Sequence, residues 1–382
     1  MRNLKRALSL ALAAIMLIGM MVVSACAVSY NDLTDKDQIV NKDAVSMLVS
    51  LGIIEGKPDG SYAPTENVDR AQMAKMLSVI MNKGVDNSAL YQSVNSGLVD
   101  VNTNWAKGHI NYCYTTGIIA GRGNGKFDPS ATVTALEAAK MLLVAVGYDP
   151  AIEGFEGADW AINVSVRADE QGIFEGFTKD LSAPLNRDDA ALLIYNALDV
   201  EMIQSYTTNN YPIAYSDHRT ILADKYGVIK VEGVVTANEW AILDDDTDTA
   251  LQEGKTRIYN PDGILSTTGN TAVAQDSSAN VKTQVFNVST PVDMLGKAVT
   301  MYVKKTTILA DSTVYGAPVV SDVNTVIETG EKVTGGDSKD DDSLAALLKG
   351  TGLATDKATE YYHNYEEVAI DSADVDDIMN VK

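Results

Sequence analysis

Apolar residues recur over the first two hundred positions at helical spacing. Ala44, Met47, Leu48 and Leu51 stand at i, i+3, i+4 and i+7, one apolar stripe of a helix. The stripe returns in Met73, Met76, Leu77 and Ile80, then in Ala138, Met141, Leu142 and Ala145, then in Ala190, Leu193, Ile194 and Ala197. Each of these later stripes follows a capping pair: Asp69 with Gln72, Thr134 with Glu137 and, in poorer form, Asn186 with Asp189. In such a pair the first side chain accepts from a free backbone N–H, and the residue three positions on reaches back. Beyond residue 227 the pattern changes. Residues 228–236, 255–259, 284–288 and 299–308 are rich in Val, Thr and Ile and predict antiparallel strands of a sandwich or barrel. Residues 269–280 read as a turn-rich connection, 338–343 as an acidic insertion, and 361–381 as further strand with an acidic loop.

The helical stripes belong to a repeat. Leu51-Gly52-Ile53-Ile54-Glu55-Gly56 returns 65 positions later as Thr116-Gly117-Ile118-Ile119-Ala120-Gly121. At the same offset Asp59-Gly60-Ser61-Tyr62-Ala63-Pro64 returns as Asn124-Gly125-Lys126-Phe127-Asp128-Pro129. A weaker third copy stands 55 positions after the second, with Gly172-Ile173-Phe174-Glu175-Gly176, and Trp160-Ala161 answering Trp105-Ala106. Each copy reads as helix, loop, helix. Gly52, Gly117 and Gly172 end the first helix, where a residue free to take positive φ is needed. No copy buries its stripe alone, so the copies are expected to pack around a shared helical core.

These elements resemble the S-layer homology family over about residues 30–203, roughly half the chain. The family pattern runs from an aromatic-alanine pair through G-I-I-x-G and D-G-x-F-x-P to a T-R-A-E-like helix start. The resemblance implies an all-α three-repeat bundle of pseudo-threefold form, which with the strand pattern beyond residue 227 makes the chain α+β, its second part a mainly β domain. Read together with the N-terminal residues and the strand pattern, it gives residues 1–27 as signal peptide, repeats at 28–85, 92–150 and 151–203, a linker at 204–226, and the β-rich part at 227–382, whose completeness stays open. It also implies grooves that bind an anionic, often pyruvylated, secondary cell-wall polysaccharide linked to peptidoglycan. In the family the T-R-A-E arginine and the tryptophan before the first helix tend to line these grooves. That carries polysaccharide binding to Arg70, Arg187, Trp105 and Trp160, with Gly52 and Gly117 at the adjoining loops. A guanidinium fork suits a ketal carboxylate, and an indole face suits a sugar ring. The chain departs from the pattern at Ala135, where an arginine is expected, and at Val40, where a tryptophan is; the third copy lacks D-G-x-F. Fewer than three working grooves are therefore expected. One groove would pair Arg70 with Trp105, and another would have Trp160 without the arginine expected at 135.

The N-terminus carries Arg2, Lys5 and Arg6, an apolar run over 7–23, and Ser24-Ala25-Cys26-Ala27, the layout of a secretory signal peptide. Cutting after Ala27 fits A-x-A, whereas Val23-Ser24-Ala25-Cys26 resembles a weak lipobox that would make Cys26 a lipidated N-terminus; both stay open. Past this leader no segment is long and apolar enough to span a bilayer. The formal charge of −22 argues against nucleic acid as a partner, since phosphate would be repelled. Cys113 is the other cysteine and falls on an apolar helix face, so plain cleavage leaves no intrachain disulfide. His109, His218 and His363 share no helix turn and show no metal or triad spacing. The run 244–248 lacks the Gly and Glu of a calcium loop, and 121–126 reads as the turn equivalent to 56–61 rather than a phosphate loop. No cofactor is implied. The expected function is non-enzymatic anchoring of a secreted cell-wall protein, with self-association into a surface layer open to it. The alternatives are a wall-anchored polysaccharide-active enzyme and a lipoprotein binding module held through Cys26.

Overall fold

The computed structural model describes residues 30–243, 250–260, 263, 282–304, 313–321, 362–363 and 366–367. Cys26 and the leader, the run 244–248 and the expected insertion at 338–343 lie outside them. The chain divides into two compact units, Met1–Val200 and Glu201–Lys382. Helices in the first and antiparallel sheet in the second make the fold α+β.

The first unit contains α1 (Lys42–Ser50), α2 (Arg70–Met81), α3 (Ser88–Tyr91), α4 (Lys107–Thr115), α5 (Ala135–Val146), α6 (Trp160–Glu170) and α7 (Arg187–Leu198). Local chemistry sets their ends. Asp69 accepts from the Gln72 N–H, and Gln72 Oε1 accepts from the Asp69 N–H at 3.1 Å. Thr134 and Glu137 form the same reciprocal pair, both bonds 3.2 Å. Asn186 accepts from the Asp189 N–H at 2.8 Å. The return bond is missing there, because the Asp189 carboxylate meets Lys179 Nζ at 2.5 Å instead. At the other ends, φ is +69° at Gly52, +78° at Gly117 and +69° at Gly172. The N–H of the following residue then reaches the carbonyl five positions back at 2.9 Å: Ile53 to Leu48, Ile118 to Cys113, Ile173 to Ala168. This left-handed stop turns the chain out of each helix and into the loop that follows.

Three buried backbone positions close a ring. The Val68 N–H donates to Leu185 O at 2.8 Å, the Leu185 N–H to Val133 O at 2.7 Å, and the Val133 N–H to Val68 O at 2.9 Å. Each stands just before a capping pair, so α2, α5 and α7 start from one point and turn their apolar stripes inward. The next contacts have a direction. The Ala71 N–H donates to Pro129 O at 3.0 Å, the Leu136 N–H to Leu181 O at 3.1 Å, and the Asp188 N–H to Pro64 O at 3.1 Å. Each second helix thus leans on the loop of the next copy, and the third copy leans on the first.

In the second unit, 204–226 is more ordered than the linker read from its sequence. Strands β1 (Ile203–Tyr206) and β2 (Pro212–Ala214) form an antiparallel hairpin, and a helical turn covers Leu222–Tyr226. Strands β3 (Val228–Ala237), β4 (Thr256–Tyr259), β5 (Thr283–Phe286), β6 (Ala298–Lys304) and β7 (Val314–Val320) form one antiparallel sheet in the order β5-β4-β3-β6-β7. Alternate residues Ile229 and Val231, with Val235, Ile258, Phe286 and Met301, bury one core. Among the described residues no pair joins β5 to β7. A further pair, β8 (Tyr362–His363) and β9 (Glu366–Glu367), falls in the segment expected to hold strand.

Candidate functional site

The sequence-predicted arginines and tryptophans meet at two grooves of the first unit. The first groove, about 250 Å³, gathers Ile54, Glu55, Lys57 and Lys75 with Trp105 and Arg187. The second, about 560 Å³, gathers Ala120, Arg122, Lys140 and Glu156 with Trp160 and Arg70. The expected partnership of Arg70 with Trp105 is therefore wrong. Trp105 stands with Arg187, and Trp160, expected to lack an arginine, has Arg70. The cause is the direction of the ring. Each groove is built on the loop and second helix of one copy; its arginine comes from the copy before and its indole from the copy after.

Both arginines are tied to the loop they reach. Arg70 donates from Nε to Phe127 O at 2.9 Å and from Nη2 to Ala120 O at 2.8 Å. Its guanidinium carbon stands 4.4 Å from the Phe127 ring centroid, and the residue is 5% exposed. Arg187 repeats the arrangement on Tyr62 O at 2.7 Å and Glu55 O at 3.2 Å, stacked 4.8 Å from the Tyr62 ring. Burial draws the Arg70 pKa down to about 10; Arg122 adds to the shift, while Glu137, Asp128 and Asp100 oppose it. Arg70 still carries its charge at neutral pH.

The indoles are open. Trp105 is 58% exposed. Trp160 is half-buried beneath Lys140, whose Nζ lies 5.7 Å from the ring centroid and donates to Phe155 O at 2.5 Å. Gly52 and Gly117 do not line the grooves; each stands one residue before a lining isoleucine and fixes the helix stop.

The family model for the S-layer homology domain matches residues 29–74 and 99–139. The chain carries S-layer homology domains. It is 29% identical over 273 residues to a cell surface protein of Thermoanaerobacter kivui, a match covering 70% of this chain and 32% of that one. It is 32% identical over 113 residues to an S-layer protein of Bacillus licheniformis, covering 30% of this chain and 12% of the relative. An amylopullulanase of Thermoanaerobacterium thermosulfurigenes is 30% identical over 185 residues, covering 45% and 10%. The chain thus spans about a third or less of the length of these relatives. S-layer homology domains occur here in surface proteins and in an enzyme alike, and the first two relatives are surface proteins. The protein is secreted to the cell-wall surface, and the comparisons support anchoring there. No helix among the described residues is long and apolar enough to cross a membrane.

The S-layer homology copies also use residues that sequence reasoning passed over. Lys75 and Lys140 line equivalent places in the two grooves, and Lys75 pairs with Glu55 at 3.1 Å. Asp35 accepts from the Tyr62 and Ala63 N–H groups at 2.7 and 2.8 Å. Asp100 accepts from those of Phe127 and Asp128 at 2.9 and 2.8 Å. The 65-residue offset carries the signal for both pairs. Burial pushes the Asp100 carboxyl up, but these backbone donors outweigh it and hold the pKa below the ordinary carboxylate range. Cys113 is fully buried and its thiol donates to Ala74 O.

Residues distant in sequence bring a histidine beside a serine and a carboxylate. His109 Nδ1 lies 2.6 Å from Ser78 Oγ, and Nε2 lies 3.6 Å from Asp86 Oδ2. The residue types match a hydrolytic triad, but the setting does not. Ser78 Oγ donates to Lys75 O, and Ser78 and His109 are each 4% exposed, so the hydroxyl has no approach for a substrate. His109 instead supports the groove, its ring edge-on to Trp105 at 6.4 Å.

Proposed function

We propose that the chain anchors itself non-covalently to the wall through a three-repeat S-layer homology bundle that binds an anionic secondary cell-wall polysaccharide. The observation that carries this reading is the convergence, twice, of an arginine, a lysine and an indole in one groove. An indole face stacks on the apolar face of a sugar ring, and the fixed cations sit where its carboxylate would be received. Both arginines arrive with Nε and Nη2 already bonded to backbone, so they are held in place before ligand binds. Net acidity of the chain does not oppose this, because charges beyond about 8–10 Å are screened at physiological salt.

Anchoring requires no chemical step, and we read the chain as non-enzymatic, with the second unit as the part displayed. Self-association into a layer, as the name of the Bacillus licheniformis relative implies for that protein, fits the same reading.

The test is sedimentation of the full chain with purified sacculi, before and after chemical stripping of the secondary polysaccharide. Binding should be present before stripping and lost after it. Binding indifferent to stripping, or none to intact sacculi, refutes the polysaccharide as ligand.

A further inference from the structure

We infer that this chain holds two anionic-sugar sites, the first and second grooves, and that the third junction of its bundle is not one. The inference rests on the anchoring reading and adds the count and location of the sites.

The direction of the ring fixes which residues would build a third groove: the loop of copy three, the second helix of copy three, the arginine position of copy two and the indole position of copy one. The contacts placing these residues are present. The Leu136 N–H bonds Leu181 O at 3.1 Å, as Ala71 bonds Pro129, so the start of α5 reaches the third loop. The Asn41 N–H bonds Asp188 Oδ1 at 3.2 Å, which sets Val40 beside the start of α7. A Cβ on Gly176 would lie 3.8 Å from Leu192, so that side chain flanks the loop as Lys75 and Lys140 flank theirs.

The chemistry has gone from each of these positions. Where the other grooves have Arg187 and Arg70, this one has Ala135, fully buried. In place of Trp105 and Trp160 stands Val40, 81% exposed. In place of Lys75 and Lys140 stands Leu192, and in place of Lys57 and Arg122 stands Phe177. The lysine nearby, Lys179, is already paired with Asp189 at 2.5 Å, and the Asp188 carboxylate is beside it in sequence. An anionic sugar there would meet no guanidinium and no indole, and a lysine already paired with Asp189. The two departures seen in the sequence, at 40 and 135, fall on opposite sides of one junction rather than damaging two. That is why the first and second grooves are whole.

The experiment is calorimetric titration of the full chain with a synthetic methyl hexopyranoside carrying a pyruvyl ketal. Two equivalents are expected. Trp105→Ala and Trp160→Ala should each leave one equivalent and the double variant none; Trp105 is 58% exposed, so its removal spares the core. Val40→Ala should still bind two. Three equivalents, or loss of one in Val40→Ala, overturns the inference while leaving the anchor standing. No uptake by a chain that still sediments with sacculi overturns the inference and the sugar class together.

Discussion

Arg70 shows how one side chain can serve both shape and site. Its bonds to Phe127 O and Ala120 O satisfy two loop carbonyls, so Arg70→Ala should cost about 1–3 kcal/mol of folding stability, read by urea denaturation. Arg70→Lys should recover little, since an ammonium cannot span both carbonyls and stack on Phe127 at once. A binding loss in either variant therefore mixes two effects, whereas an exposed indole separates them. His109 makes a second prediction. Burial lowers its pKa below the ordinary 6.5; Lys75 adds to the shift and Asp86 opposes it. Just below pH 6.5 the unfolded chain then binds a proton that the folded chain does not, so stability falls as pH falls through that range. The melting temperature should drop between about pH 7 and pH 5, and less steeply in His109→Gln. The identities of the groove residues were legible in the sequence, since arginine and tryptophan recur at fixed places in the repeat. Their partners were not. Spacing along the chain does not say which way round a ring the copies follow one another, which is why it pairs Arg70 with the wrong indole.

Helix starts were the most legible elements, because a capping pair is written in two side chains three residues apart. Their quality was legible too: Asn186 makes one of the two bonds that Thr134 and Glu137 make. Thr134→Ala should cost about 1 kcal/mol and Asn186→Ala no more, by urea denaturation. The Asp100 clamp belongs to the same scale. Its pKa lies below the unfolded value, so its contribution is in place at neutral pH and fades as pH falls through the folded pKa. Asp100→Ala should raise hydrogen exchange at the Phe127 and Asp128 amides, and an unchanged rate would show that these N–H groups find other acceptors. The hairpin of β1 and β2 was not legible. Its strands are four and three residues long, include Gln204, Ser205 and Pro212, and show no apolar alternation to distinguish them from a linker.

At the scale of the molecule, the shared helical core followed from three stripes that no copy buries alone. The closure that organises it was hidden, because the ring of Val68, Leu185 and Val133 is made of backbone groups that any sequence carries. Removing residues 151–200 takes Leu185 out of that ring. It strands the Val68 N–H and the Val133 carbonyl in a buried place and uncovers the stripes of α2 and α5. The shortened chain should lose cooperative unfolding of the two remaining copies, measured by circular dichroism in urea, although the third copy supplies no groove of its own.

The same closure bears on how the protein meets force. In a string of separate beads, tension opens the weakest bead first and the rest pay out in turn. Here Leu185 is bonded to both Val68 and Val133, so the third copy cannot leave the bundle without breaking its hydrogen bonds to both of the others. The copy without a groove of its own is the clasp, and the tether should yield in one step rather than three.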